Sequence, residues 1–187
     1  MSPSGEKVCW YVLFANTGSE DRLVELLNKN LDSKIIRSFV PKAEHVFRRK
    51  GIKSRFKKIC FPGYVFIESA LPLEIFLACT FPVIYKLKDA YKFLNYGKKT
   101  DIAMRDEERI SLSNFLGDDK LVEISIGYRE GDSVKVISGP LVGNEGTILR
   151  VKRNRNEADI MVKMFCDMVP ATVGFELIEK KVNYNCV

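Results

Sequence analysis

The stretch Gly131-Asp132-Ser133-Val134-Lys135-Val136-Ile137-Ser138-Gly139-Pro140-Leu141-Val142-Gly143-Asn144-Glu145-Gly146-Thr147-Ile148 decides how the chain folds. Val134 and Val136 open a β-type run, Gly139-Pro140 turns it, and a second run begins at Thr147. Gly139, Gly143 and Gly146 suit positive φ or close backbone approach, and Pro140 sets the turn. Downstream, Val151; Ile160, Val162 and Met164; Val169, Thr172 and Val173; and Phe175, Leu177 and Ile178 form further short β-type runs, with Gly174 as another punctuation mark. Residues 129–187 therefore predict a small all-β barrel. Such a unit lies near the lower size limit for independent folding.

Upstream the pattern changes. Val8–Phe14 (VCWYVLF) is a continuous apolar run suited to a central strand. Thr17 and Glu20 make a capping-box pattern ahead of Asp21–Asn30, where Leu23, Leu26 and Leu27 recur at helical spacing. Ile35–Val40 reads as a strand stopped by Pro41, and Glu44–Phe47 with Arg55–Ile59 as a basic hairpin turning at Gly51. Tyr64–Ile67 is another buried strand. Pro72 starts a helix through Leu73–Cys79, Val83–Leu87 follows as a short strand, and Asp106 caps a helix through Phe115. The order β-α-β-β-α-β-α predicts an α+β domain over 1–116 with an antiparallel, ferredoxin-like sheet. Gly117-Asp118-Asp119-Lys120 opens a linker, 117–128.

Composition narrows the class. The 187 residues are 46% apolar and 29% charged, with a net charge of +6, which excludes a disordered tail. No apolar run approaches ~18 residues, so no membrane is expected. Met1–Lys7 lacks the apolar core of a secretory signal. The five cysteines (Cys9, Cys60, Cys79, Cys166, Cys186) form no CxxC pair and have one histidine, His45, to share. Neither a zinc site nor a disulfide framework follows, so no metal and no cofactor are expected, in a cytoplasmic setting with reduced thiols.

The charge is unevenly placed. Residues 42–58 carry Lys42, Arg48, Arg49, Lys50, Lys53, Arg55, Lys57 and Lys58 against Glu44 alone. The barrel region is neutral overall, yet it concentrates Arg150, Lys152, Arg153 and Arg155 within six residues. Local cationic density, rather than net charge, attracts phosphates. Each basic run could also be an ordinary solvated surface.

The glycine-patterned stretch resembles the KOW motif. Trp10-Tyr11-Val12, Val40-Pro41, Phe61-Pro62-Gly63-Tyr64-Val65-Phe66 and Phe81-Pro82 resemble the NGN domain, and NGN, linker, KOW is the architecture of the NusG family. The resemblance implies a transcription elongation factor, not an enzyme. Its NGN domain would bind the clamp helices of RNA polymerase through an aromatic patch, with the non-template DNA strand as a further contact. That patch maps to Phe61 and Tyr64, with Trp10 and Phe14 nearby. Phe61, ahead of a Pro-Gly pair, is expected as an exposed anchor.

In housekeeping members of the family, a hydrophobic-Phe-Gly-Arg turn of the KOW domain recruits Rho or a small-subunit ribosomal protein. Here Met164-Phe165-Cys166-Asp167-Met168 keeps the Phe but places Cys166 and Asp167 where Gly and Arg are expected. An anion weakens an interface built for a cation. The preceding turn is unusually basic. This combination is similar to the LoaP group, antiterminators that recognise an RNA hairpin in a nascent leader transcript. Arg150, Lys152, Arg153, Asn154, Arg155 and Lys135 are the implied RNA contacts, and Arg48, Arg49, Lys50, Lys53 and Arg55 a further nucleic-acid contact. A monomer is expected. The alternative is a housekeeping factor that retains Rho or ribosome recruitment. RfaH-type behaviour is disfavoured, because Glu74–Ala78 shows no Thr-rich cluster and residues 133–178 are rich in β-branched residues and glycine. An enzyme would have only Cys9 or Cys60 with His45 as a nucleophile and base.

Overall fold

The computed structural model describes residues 7–49 and 52–179. In chain order these form β1 (Cys9–Ala15), α1 (Glu20–Asn30), β2 (Ile36–Phe39), β3 (Lys42–Arg49), β4 (Ile52–Ile59), β5 (Tyr64–Ser69), α2 (Leu73–Ile84), β6 (Ala90–Phe93) and α3 (Asp106–Leu116). There follow β7 (Leu121–Val122), β8 (Ser125–Glu130), β9 (Ser133–Ser138), β10 (Ile148–Lys152), β11 (Glu157–Met164) and β12 (Asp167–Ile178). The chain groups into two compact units. The first holds the residues through Pro41, Phe61–Ser113 and Lys163–Val169; the second holds Lys42–Cys60, Asn114–Val162 and the residues from Pro170 onward.

The first unit is built on a four-stranded sheet in the order β2-β5-β1-β6, every neighbour antiparallel. That is the split arrangement expected of a ferredoxin-like domain. The apolar β1 run is buried almost throughout, and Trp10 packs edge-on against Phe39 and Phe66, at 5.4 and 6.1 Å between ring centroids. Tyr11 stacks on Phe76 of α2 at 3.8 Å. These rings cover both faces of a central strand, which is why its sequence does not alternate.

Two helix boundaries depart from expectation. Ser19, not Thr17, occupies the N-cap of α1, and no side chain caps that end, so the capping box does not form. The Glu20 carboxylate is fully buried and turned elsewhere: it accepts the backbone N–H of Gly18 at 2.7 Å and of Gly63 at 2.6 Å. Helix α2 continues through Pro82 to Ile84, so the strand expected at Val83–Leu87 is absent and the edge strand is β6 instead. Phe76, Thr80 and Ile84 form a buried stripe along α2, and the Thr80 hydroxyl donates to the Phe76 carbonyl at 2.8 Å. Burial of that stripe outweighs the one backbone hydrogen bond that Pro82 cannot donate.

The second unit contains a five-stranded sheet, β10-β11-β12-β8-β9, and a three-stranded one, β4-β3-β7. Strands β8–β12 make up the all-β region expected after the α+β domain. Residues 117–128, read from sequence as a linker, carry β7 and the start of β8. Strand β7 pairs in parallel with β3 (Lys42 with Leu121, Ala43 with Val122), and β8 in parallel with β12 (Phe175 with Ser125). Unlike the 1–116, 117–128 and 129–187 division read from the sequence, the compact units interleave along the chain. Gly174 is not a turn. It lies within β12, where a Cβ would stand 2.2 Å from the Glu44 carbonyl oxygen, so glycine lets two backbones approach closely.

Candidate binding surfaces

The aromatic patch is only partly where the sequence placed it. Phe61 is 0% exposed, its ring 6.0 Å from that of Phe66, so it is a core residue rather than an exposed anchor. Phe61 packs toward Phe66, while Tyr64, after Pro62-Gly63, stays half-buried. Trp10 is likewise buried. Phe14 and Tyr64 are half-buried and face each other across β1 and β5, with 5.7 Å between ring centroids. Tyr91, 56% exposed and also 5.7 Å from Phe14, extends this row. Sequence reading missed Tyr91 because it placed the edge strand too early; the aromatic pair Tyr91 and Phe93 was the available signal.

Glu20 positions this row. Its bond to the Gly63 N–H and the Ala15 N–H bond to the Gly63 carbonyl (2.8 Å) pin the turn that precedes Tyr64. A carboxylate accepting two backbone donors in a buried place is a strong local restraint.

Both basic segments fall in the second unit. The hairpin β3–β4 pairs in a single register, Arg49 opposite Ile52, while Lys50 and Gly51, the expected turn, lie outside the described residues. Many of its cations have acidic partners. Lys53 Nζ lies 2.7 Å from Glu176, Arg55 Nη1 3.3 Å from Glu44, and Lys58 Nζ 2.8 Å from Glu157. The basic turn forms a short 3-10 helix, Arg153–Arg155, closed by Asn156 in a left-handed conformation. Lys152 bonds Asp159 at 2.7 Å; together with the Thr172 hydroxyl (2.9 Å) it holds the Asp159 carboxyl below the usual range despite burial. Arg153 lies 3.6 Å from exposed Glu179. Among the described residues Arg155 has no ion pair, whereas Arg150 stands opposite Asp159 and acts on that carboxylate at longer range. Lys135 of β9 is exposed.

His45 is buried between these elements. Its ring lies 5.6 Å from Phe56, nearly parallel, and Nδ1 is 3.4 Å from Glu157 without hydrogen-bonding geometry. Burial lowers its pKa, neighbouring Lys58 lowers it further, and Glu157 opposes both. The unfolded chain therefore takes up the proton first as pH falls through ~6.5, and folded stability declines below that point. His45 is the chain's single histidine and ordinary carboxylates titrate lower, so the decline between about pH 6.5 and 5 reports this site. Thermal midpoints measured across that range should fall in the wild type and stay flat in His45→Phe; parallel curves would refute the assignment. Burial pushes the Cys60 thiol up to about 12, away from a thiolate. Among the described residues no cluster of three or more His, Cys, Asp or Glu could hold a metal, and no helix is long and apolar enough to cross a membrane.

At the β11–β12 connection, Phe165 and Cys166 both adopt positive φ, +51° and +67°. Phe165 is buried, its ring 4.8 Å from Tyr96, and its N–H donates to Glu108 Oε2 at 3.1 Å. The Tyr96 hydroxyl makes a short bond to the same carboxylate oxygen; burial, then that bond, raises its pKa. Cys166, Asp167 and Met168 are exposed.

Comparison with known proteins agrees with this architecture. The family model described as "Transcription termination factor nusG" matches residues 8–113, and the KOW motif model matches 130–163. The chain is 28% identical over 179 residues to the Transcription termination/antitermination protein NusG of Thermus thermophilus, covering 91% of this chain and 97% of that protein. The protein of the same name from Bacillus subtilis is 27% identical, again with 91% and 97% covered. A solved structure described as "Domain interaction in Thermotoga maritima NusG" matches with a TM-score of 0.51 at 22% identity, covering 90% of this chain and 94% of that one, and so shares the fold. A ferredoxin-like sheet followed by a KOW-bearing β region, matched along nearly the whole chain, makes this a member of the NusG family: a NusG-like transcription termination/antitermination factor.

Proposed function

We propose that this protein is a specialised antitermination factor of the LoaP type. It binds RNA polymerase through the Phe14, Tyr64 and Tyr91 row of its NGN domain and a nascent leader RNA through the basic turn of its KOW region. The observation that carries this reading is the turn itself: an exposed 3-10 helix, Arg153–Arg155, with exposed Arg150 before it and with Arg155 uncommitted to an acidic partner among the described residues. Phosphates gain most from cations that need not first break an ion pair. The KOW connection supports the same reading. Phe165, the residue that housekeeping factors would offer to Rho or the ribosome, is buried against Tyr96, and Asp167 replaces the expected cation.

The polymerase clamp helices, the leader hairpin and the non-template strand are the proposed partners, in the cytoplasm. The housekeeping role is the second reading, favoured by the name that the relatives from Thermus thermophilus and Bacillus subtilis carry. A terminator read-through assay with the leader template separates the two. Wild-type protein should raise read-through only when the leader is present, and Arg150→Ala/Arg155→Ala should abolish that dependence. Leader-independent stimulation of Rho would support the housekeeping reading. Tyr64→Ala/Tyr91→Ala should weaken polymerase binding about tenfold or more, with an unchanged thermal midpoint, because both side chains are partly solvent-exposed. Polymerase binding at wild-type strength would remove the aromatic row from the interface.

A further inference from the structure

The hairpin β3–β4 and the basic turn together line a cavity of about 630 Å³ within the second unit. We propose that this cavity is a stacking pocket for unpaired bases of RNA, an inference that rests on the RNA-binding reading above and locates the part that reads single-stranded loop nucleotides.

Two phenyl rings stand in its mixed polar and apolar lining. Phe47 is 54% exposed and Phe56 is 39% exposed, both on the hairpin and both lining the cavity. Large rings left this open on a hairpin are costly in water unless something covers them. His45 lies nearly parallel to Phe56 from the buried side, which fixes that ring in place. The rim is polar: Asn154, Arg155 and Asn156 border the same cavity. Asn156 is itself anchored, since its carbonyl accepts the Phe175 N–H at 2.8 Å. Asparagine amides donate and accept at once, as base edges require, and an arginine beside them suits the adjoining phosphate.

The carboxylates decide between occupants. Glu157 and Glu176 also line the cavity, held by Lys58 at 2.8 Å and by Lys53 at 2.7 Å. An acidic peptide would meet these two carboxylates after the nearest lysines are already engaged. A nucleobase is uncharged, stacks on phenyl rings whatever its identity, and keeps its phosphate at the rim. The volume falls within the ~300–1,000 Å³ usual for pockets that enclose small ligands. Sequence reading assigned the hairpin only its charge and passed over Phe47 and Phe56; their alternation with cations on adjacent strands was the signal.

The test uses the full chain and two RNA probes: a hairpin pool with a fixed stem and a randomised ten-nucleotide loop, and the same stem as a blunt duplex. Filter binding at several salt concentrations should show wild-type protein preferring the loop pool by about tenfold or more. Phe47→Ala/Phe56→Ala should lose that preference while duplex affinity and its salt dependence stay unchanged. Phe47→Leu/Phe56→Leu, which keeps apolar volume without a ring, should behave the same way, and Phe47→Trp should retain the preference. If the phenylalanine variants discriminate as the wild type does, the pocket assignment is overturned. Loss of both RNAs in Arg150→Ala/Arg155→Ala would leave the RNA-binding reading standing in that case. If wild-type protein retains neither probe, or polyglutamate displaces the loop pool without any effect of the ring substitutions, both fall.

Discussion

Phe61→Ala should lower the folding stability by about 3–5 kcal/mol, as truncation of a fully buried phenylalanine does elsewhere. For a chain of this length that is a fall of roughly 6–20 °C in the thermal midpoint. The residue is 0% exposed, its ring packs near Phe66, and its carbonyl accepts the Tyr64 N–H at 3.2 Å. The substitution removes core volume beneath the turn that presents Tyr64. Reduced polymerase binding by this variant would therefore report disorder in the first unit rather than a lost contact. Differential scanning fluorimetry decides it: a midpoint within about 2 °C of wild type would mean the ring is not buried in solution. The Tyr64 and Tyr91 substitutions, by contrast, act at the surface.

Gly139→Ala should have a comparable effect on the second unit, about 3 kcal/mol or more. Two costs combine there. The residue has φ +95°, which a side chain resists, and a Cβ would stand 2.6 Å from Ser125 Cα and 2.8 Å from the Ile124 carbonyl oxygen. Those neighbours are backbone and cannot swing aside. Ser125 is buried and its hydroxyl accepts the Leu141 N–H at 3.1 Å, so displacement of β8 also breaks that bond. Gly143→Ala is the control. Its φ is +76° with no atom within 4 Å of the added Cβ, which leaves only the conformational term of about 1–2 kcal/mol. Urea denaturation of the two variants should separate them; equal midpoints would show that close approach at Ser125 contributes nothing.

Much of this architecture is written in local patterns. The KOW stretch declares itself because its glycines answer separate needs: Gly139 and Gly143 take positive φ, and the Gly139-Pro140 pair follows β9 directly. Gly146 is less telling, since it sits in a 3-10 turn. The apolar β1 run is legible for a similar reason, as rings cover it on both sides. What stayed hidden depends on distant partners. Nothing local says that Phe61 is buried while Tyr64 is half-exposed, because Phe66 and Phe14, from two strands, are the rings they meet. Nothing near Glu20 reveals that its carboxylate serves Gly63 across the sheet instead of closing a capping box. The cations of the hairpin are plain in the sequence, as is Glu44 beside them, but Glu157 and Glu176, which also temper them, lie far along the chain. Leu121 and Val122 read as linker because two residues are too short a run to announce a strand; pairing with β3 supplies what the sequence pattern lacks.

The pairing of Lys58 with Glu157 spans 99 residues, and Lys53 waits still longer for Glu176. During synthesis at about 5–20 residues per second, the hairpin therefore emerges roughly 5–20 seconds before its acidic partners exist. For that interval only Glu44 offsets its cations beside a translating ribosome, whose own RNA is the nearest polyanion. Exposed Ile52 at its tip and the unmade partners of β3 add a second hazard in the same window, an open sheet edge. Strand β7 closes that edge first, and β12 brings Glu176 to Lys53 only later, so the two hazards end in sequence.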